Sequence, residues 1–203
     1  MKTRRTVIGA AVALGLGLAA GGAQAAAVVG QPAPSFALRD ADGKIHNLAQ
    51  YKGKTVVLEW TNHECPYVKK HYTGAMQKLQ KDARNDGVVW LSIVSSAPGK
   101  QGHVTPEQAK QQTAGRGASP TAVLLDPTGD VGRFYDAKTT PHMFVVNGQG
   151  RVVYAGGIDD VPSNKVEDLK TAKPLVRLAL ADVKAGRAVA TPSSKPYGCA
   201  VKY

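Results

Sequence analysis

Two side chains in this 203-residue chain can act as thiols, Cys65 and Cys199. Cys65 precedes Pro66, which is tolerated in a first helical turn, and Val68, Tyr72, Met76 and Leu79 follow at helical spacing. The pattern predicts one helix from Pro66 to about Arg84 with Cys65 at its start. There the free backbone N–H groups and the helix dipole favour a negative sulfur, and a thiolate is the nucleophilic form. Lys69, one turn on, and the nearby Lys70 and His71 act in the same direction, whereas Glu64 opposes them. Such a thiolate can attack a peroxide oxygen or a disulfide sulfur. His63, Glu64, Cys65, His71 and His142 could also be metal ligands. With a single cysteine and a His63-x-Cys65 spacing, however, they match no usual site, so neither a metal nor another cofactor is expected.

The elements that must position these residues alternate. Asp42-Gly43 between short apolar runs predicts a hairpin. Val56 to Trp60, Val88 to Val94 and Ala122 to Leu125 read as buried strands. Thr105-Pro106-Glu107 opens a helix with Thr105 as cap. Asn147-Gly148-Gln149-Gly150 joins two further strands, Phe144 to Val146 and Arg151 to Tyr154. Asn164 with Glu167 predicts a capping box, and a last helix should run from Pro174 to near Gly186. The fold class is α/β, a mixed central sheet flanked by helices. Trp60 and Trp90 are expected in the core, and His46 and His103 in surface loops.

Residues 1–25 combine a cationic start, an apolar run and the small-x-small sequence Ala23-Gln24-Ala25, the pattern of a cleaved export signal. Arg4-Arg5 also fits a twin-arginine signal loosely. The expected organisation is a signal peptide (1–25), one domain (26–190) and a Pro- and Ser-rich tail (191–203) carrying Cys199, in a periplasmic or secreted protein without stable membrane insertion. Loss of Lys2, Arg4 and Arg5 lowers the net charge from +11 to +8. The remaining lysines are scattered, which argues for a solvated basic exterior and against a nucleic-acid partner. In an oxidising compartment an even cysteine count predicts that Cys65 and Cys199 pair at some stage.

Gly30-Gln31-Pro32-Ala33-Pro34-Ser35-Phe36-Ala37-Leu38, Leu125-Asp126-Pro127-Thr128-Gly129, Thr140-Pro141-His142-Met143-Phe144 and Tyr154-Ala155-Gly156-Gly157-Ile158-Asp159 resemble, in order and spacing, the redoxins of the alkyl hydroperoxide reductase and thiol-specific antioxidant group. The resemblance spans about Gly30 to Asp160 and implies a thioredoxin-like fold. It also implies a cis bond at Thr140-Pro141 facing the reactive cysteine, and an antioxidant or disulfide-exchanging activity. Aligned without gaps, Cys65 takes the place of the attacking cysteine and Glu59 that of a buried, proton-relaying carboxylate. Val68 replaces the second cysteine of the usual Cys-x-x-Cys, and Asn62 stands where a peroxiredoxin has threonine. Asn62, His63, Thr140 and Pro141 are then expected at the substrate groove, with Arg133 a candidate peroxide-orienting cation or a plain surface arginine. Cys199 is the candidate resolving cysteine, with a peroxide or disulfide as substrate and an external thiol as reductant, thioredoxin-like or membrane-linked. Two alternatives stay open. One is a permanent Cys65–Cys199 staple in a non-catalytic binding module, a loop closure worth up to roughly 5 kcal/mol. The other is Cys65 acting alone.

Overall fold

A computed structural model describes residues 26–203; the expected signal peptide lies outside the described residues. The first hairpin pairs β1 (Ala37–Asp40) with β2 (Ile45–Asn47). The Asp40 carboxylate holds its turn by accepting from the Asp42 and Lys44 amides, both at 2.9 Å. His46 departs from the expected surface position. It is buried in β2, with Nε2 2.7 Å from Asp40 Oδ2 and Nδ1 bonded to the Tyr51 hydroxyl, because the hairpin folds its polar side chains inward over their own turn.

The strand β3 (Val56–Trp60) runs in the interior of the sheet, buried along its whole length. Two helices follow it, α1 (Pro66–His71) and α2 (Ala75–Asn85), in place of the single helix expected from Pro66 to Arg84. Apolar periodicity carries across the break, so it was invisible to spacing. The chain turns because Gly74 takes φ +132°, a value side-chain-bearing residues seldom adopt, and Thr73 Oγ1 bonds back to the Lys70 carbonyl at 2.8 Å.

Next come β4 (Val89–Val94), α3 (Pro106–Gly115) and β5 (Ala122–Leu125). Thr105 caps α3 as expected, in a capping box closed by Gln108. A short helix, α4 (Asp130–Phe134), leads to the two-residue β6 (Thr139–Thr140), then β7 (His142–Val146) and β8 (Val152–Gly156), the second hairpin. The capping box expected at Asn164 does not form. The Lys165 amide bonds to Ser163 Oγ instead, and residues 166–170 make only a 3₁₀ turn. The last helix, α5 (Leu175–Lys184), ends near the left-handed Gly186.

Seven strands form one mixed sheet in the order β2-β1-β5-β4-β3-β7-β8; β3, β4 and β5 are parallel and the remaining pairs antiparallel. Strand alternation sends Val56, Leu58 and Trp60 to one face, against Phe144, Leu91 and Tyr135. Val57 packs on the other face with Trp90, Met143 and Val145, beneath Met76 of α2 and Val176 of α5. Both tryptophans are core residues, as expected.

Residues 191–203 are bound along the domain. The Ser194 amide bonds to the Ala155 carbonyl at 3.2 Å, and the Val201 amide to that of Lys138 at 3.1 Å. The Tyr203 hydroxyl reaches the Ala137 carbonyl at 2.7 Å. Between these anchors lies β9 (Cys199–Ala200), which pairs antiparallel with β6 in a separate two-stranded sheet.

Candidate active site

Cys65 is the N-cap residue of α1, with Pro66 opening the first turn, and it has no exposed surface. Its thiol donates to the Thr140 carbonyl at 3.0 Å. Thr140 precedes Pro141 through a cis peptide bond, as the resemblance implied, and pairs in register with Cys199. The tail thus lays Cys199 over the sulfur it could resolve, and both cysteines are free thiols within mutual hydrogen-bonding reach. Gly198 permits the approach: a Cβ there would lie 2.0 Å from the Thr140 carbonyl oxygen, and its φ is +141°.

The electrostatics separate the two sulfurs. Burial acts to raise the Cys65 pKa, but hydrogen bonds from Cys199, from Thr140 and from the Val68 and Cys199 amides outweigh it and hold the pKa below that of an ordinary thiol. The Val68 amide belongs to the first turn of α1, so the helix start contributes although no formal side-chain cap closes. Cys199 is pushed up to about 11 by burial and then by its hydrogen bond to, and repulsion from, Cys65; Lys202 opposes this. Of the two thiols, Cys65 is the one that ionises first and Cys199 the one that keeps its proton longer.

Glu59 is fully buried on the Val57 side of β3. It accepts from Tyr72 Oη, Trp90 Nε1 and Ser92 Oγ, each at 2.8 Å, and from Gln80 Nε2 at 3.3 Å. Those four donors occupy the carboxylate, and Cys65 is not among its hydrogen-bond partners. Asn62 is buried and shapes the loop: Oδ1 accepts from the Glu64 amide at 2.9 Å and Nδ2 donates to the Gln101 carbonyl. His63 is half-buried in a separate cavity of about 360 Å³ with Lys69, Tyr72, Gln112 and Arg116. Burial lowers its pKa first, and Arg116 and Lys69 lower it further against Glu64. Thr140 therefore meets Cys65 and Cys199, with Pro141 next to it through the cis bond, whereas Glu59 bonds to other partners and His63 lines another cavity. Arg133 is exposed, bonded to the Thr128 carbonyl at 2.6 Å and stacked over the Tyr203 ring.

Sequence reasoning missed a second cluster at the far end of α1. Lys70 and His71 are buried there beside Asp159 and Tyr197, although both were expected to act on Cys65 as nearby positive groups. Asp159 stood within the resembling segment and Tyr197 two residues before Cys199, but nothing in their spacing links them.

A central mixed sheet, a cysteine at a helix start and a cis-proline loop beside it define a thioredoxin-like redoxin. The AhpC/TSA family description matches residues 29–155, and the chain belongs to that family of thiol oxidoreductases. Among solved structures, an uncharacterized conserved protein from Geobacillus kaustophilus is 29% identical, with a TM-score of 0.73 over 87% of this chain and 92% of that one. A hypothetical protein from Sinorhizobium meliloti 1021 is 25% identical, with the same TM-score over 87% and 94%. A putative thiol:disulfide interchange protein DsbE from Chlorobium tepidum shares the fold at 23% identity and a TM-score of 0.52, covering 64% of this chain and 85% of that one. No curated protein matches the chain significantly.

Proposed function

We propose that this protein is an exported thiol oxidoreductase in which Cys65 attacks and Cys199 resolves. The observation that carries the reading is the register of β6 with β9, which sets Cys199 opposite Thr140 while the Cys65 sulfur bonds to the Thr140 carbonyl. With a disulfide R–S–S–R′, the Cys65 thiolate forms Cys65–S–S–R and expels R′S⁻. Cys199, as a thiolate, then displaces RS⁻ and leaves Cys65–S–S–Cys199. With a hydroperoxide, Cys65 becomes a sulfenic acid as an alcohol or water leaves, and condensation with Cys199 releases one water. An external thiol reductant returns both sulfurs to the reduced state.

The pKa separation orders these steps. Cys65 is the more readily ionised partner while both are reduced. Its oxidation removes the charge that helps hold the proton on Cys199, so the second thiol becomes easier to ionise once it is needed. Two observations favour disulfide exchange over peroxide reduction. Asn62, where a peroxiredoxin has threonine, occupies its oxygen with the Glu64 amide and its nitrogen with the Gln101 carbonyl, and Arg133 is engaged with Thr128 and Tyr203. Export is supported by the sequence of residues 1–25, and among the described residues no helix is long and apolar enough to cross a membrane.

The test is the intact mass of the reduced mature protein after one equivalent of a small disulfide or of hydrogen peroxide. Loss of two hydrogens with no added oxygen supports the reading, as does retention of a mixed disulfide or sulfenic acid by Cys199→Ser. A Cys65→Ser protein that turns over either substrate sinks it. The full burial of Cys65 favours a second reading, a binding module stapled by a permanent bridge. A Cys65–Cys199 bond that resists a thioredoxin-type reductant would establish that one instead.

A further inference from the structure

The helix that presents Cys65 ends in side chains that grip the tail presenting Cys199. Lys70 and His71 occupy the last turn of α1, and Tyr197 lies two residues before Cys199. The Tyr197 hydroxyl donates to Asp159 Oδ1 and lies 3.2 Å from His71 Nε2. Lys70 Nζ is 3.4 Å from Asp159 Oδ2 and donates to the Val161 carbonyl at 3.3 Å; it also sits 5.6 Å from the centre of the Tyr197 ring. Tyr67, from the first turn of the same helix, meets that ring edge-on at 5.9 Å. Lys70, His71 and Asp159 are 1%, 2% and 4% exposed. A buried lysine–carboxylate pair contributes little net stability and can be kept where it fixes one arrangement over others.

We propose that Tyr197, Asp159, His71 and Lys70 form a latch that seats Cys199 on Cys65 and thereby sets the rate of the resolving step. The inference rests on the reading above and concerns positioning residues, since none of the four touches the reacting sulfurs. The phenol and the Val161 amide both donate to Oδ1 of a carboxylate whose Oδ2 accepts no hydrogen bond among the described residues and is ion-paired with Lys70. With the phenol O–H donated to Asp159, the Tyr197 oxygen accepts from a neutral His71, and burial, with Lys70 acting alongside it, keeps that ring uncharged against Asp159, with a pKa of about 4. From Tyr197 only Gly198 intervenes before Cys199, and Gly198 is tight against Thr140. Little slack separates the latch from the sulfur, so loosening the phenol lowers the effective concentration of Cys199 at Cys65.

The test compares the mature full-length protein with Tyr197→Phe, Asp159→Asn and Lys195→Ala, an exposed position in the same tail whose ammonium makes no ion pair among the described residues. Acid-quenched mass spectra after one equivalent of a small disulfide give the rates of mixed-disulfide formation and of its resolution separately. Tyr197→Phe and Asp159→Asn should each slow resolution about tenfold, the effect of one charge-assisted hydrogen bond, without slowing the first step. The Cys65–Cys199 couple should become easier to reduce by about 30 mV, the equivalent of that tenfold change. Lys195→Ala should match the parent in both. Tyr197→Phe keeps the ring and its packing, so it reads the hydroxyl even if Asp159→Asn folds poorly. Parent-like resolution and potential in Tyr197→Phe would overturn the latch while leaving the role of Cys199 intact. A parent that never loses two hydrogens would overturn both.

Discussion

At Cys65 and Cys199 the decisive quantity is which sulfur is ionised. Cys65 is held below the ordinary thiol pKa largely by donors brought in from outside its own helix, the Cys199 thiol foremost. Replacing that donor in Cys199→Ala should therefore raise the Cys65 pKa, and the pH titration of thiolate ultraviolet absorbance should move to higher pH. An unchanged midpoint would mean that the helix start alone sets it. Glu59 acts at the same scale but on stability. Glu59→Leu would leave three buried donors, on Tyr72, Trp90 and Ser92, without their acceptor, while Gln80 Nε2 keeps the Tyr72 hydroxyl. A loss of roughly 3–5 kcal/mol in urea unfolding is expected, because orphaned buried polar groups retain their desolvation cost.

Among the elements, the smallest sheet is the one that sets Cys199 opposite Thr140. The pair β6–β9 joins only two residues on each side, and its geometry depends on a glycine. Gly198→Ala introduces a Cβ where the Thr140 carbonyl already stands, at a φ of +141° that alanine avoids. The expected outcome is a tail that leaves its register, with formation of the Cys65–Cys199 bond slowed by tenfold or more, roughly 1–3 kcal/mol. The same mass time course checks it, and resolution at the parent rate would show that the pairing is dispensable. The break between α1 and α2 matters here too, because it ends α1 at His71 and leaves Lys70 and His71 turned toward Asp159.

Over the whole molecule, buried histidines link stability to pH. His71 and His142 are both lowered from 6.5 to about 4, in each case mainly by burial. From pH 6.5 down to about 4 the unfolded chain binds protons at these sites that the folded chain refuses. Their contribution is thus complete above pH 6.5, falls as the pH drops and is exhausted near pH 4, by up to roughly 3 kcal/mol per histidine. Thermal melts across that window should show the decline, and His142→Gln should shrink it; an equal slope in the variant would remove His142 from the account.

Much of the sheet was legible because strands and their turns are local: the apolar run Val56–Trp60, the Asn147–Gly150 turn and the Thr105 cap carry their instructions in adjacent residues. The placement of Cys65 at a helix start was legible for the same reason, since such a start is written in the residues around it. Other features required distant segments to meet. The burial of His46, the four-donor cradle of Glu59, the break at Gly74 and the clustering of Lys70, His71, Asp159 and Tyr197 each depend on partners that no spacing rule connects. Sequence alone determined which sulfur stands at a helix start and the family whose chemistry is open to it. Tertiary structure alone decided that Cys199 lies against Cys65 and what holds it there, because closing a loop of such length is a property of the folded chain as a whole.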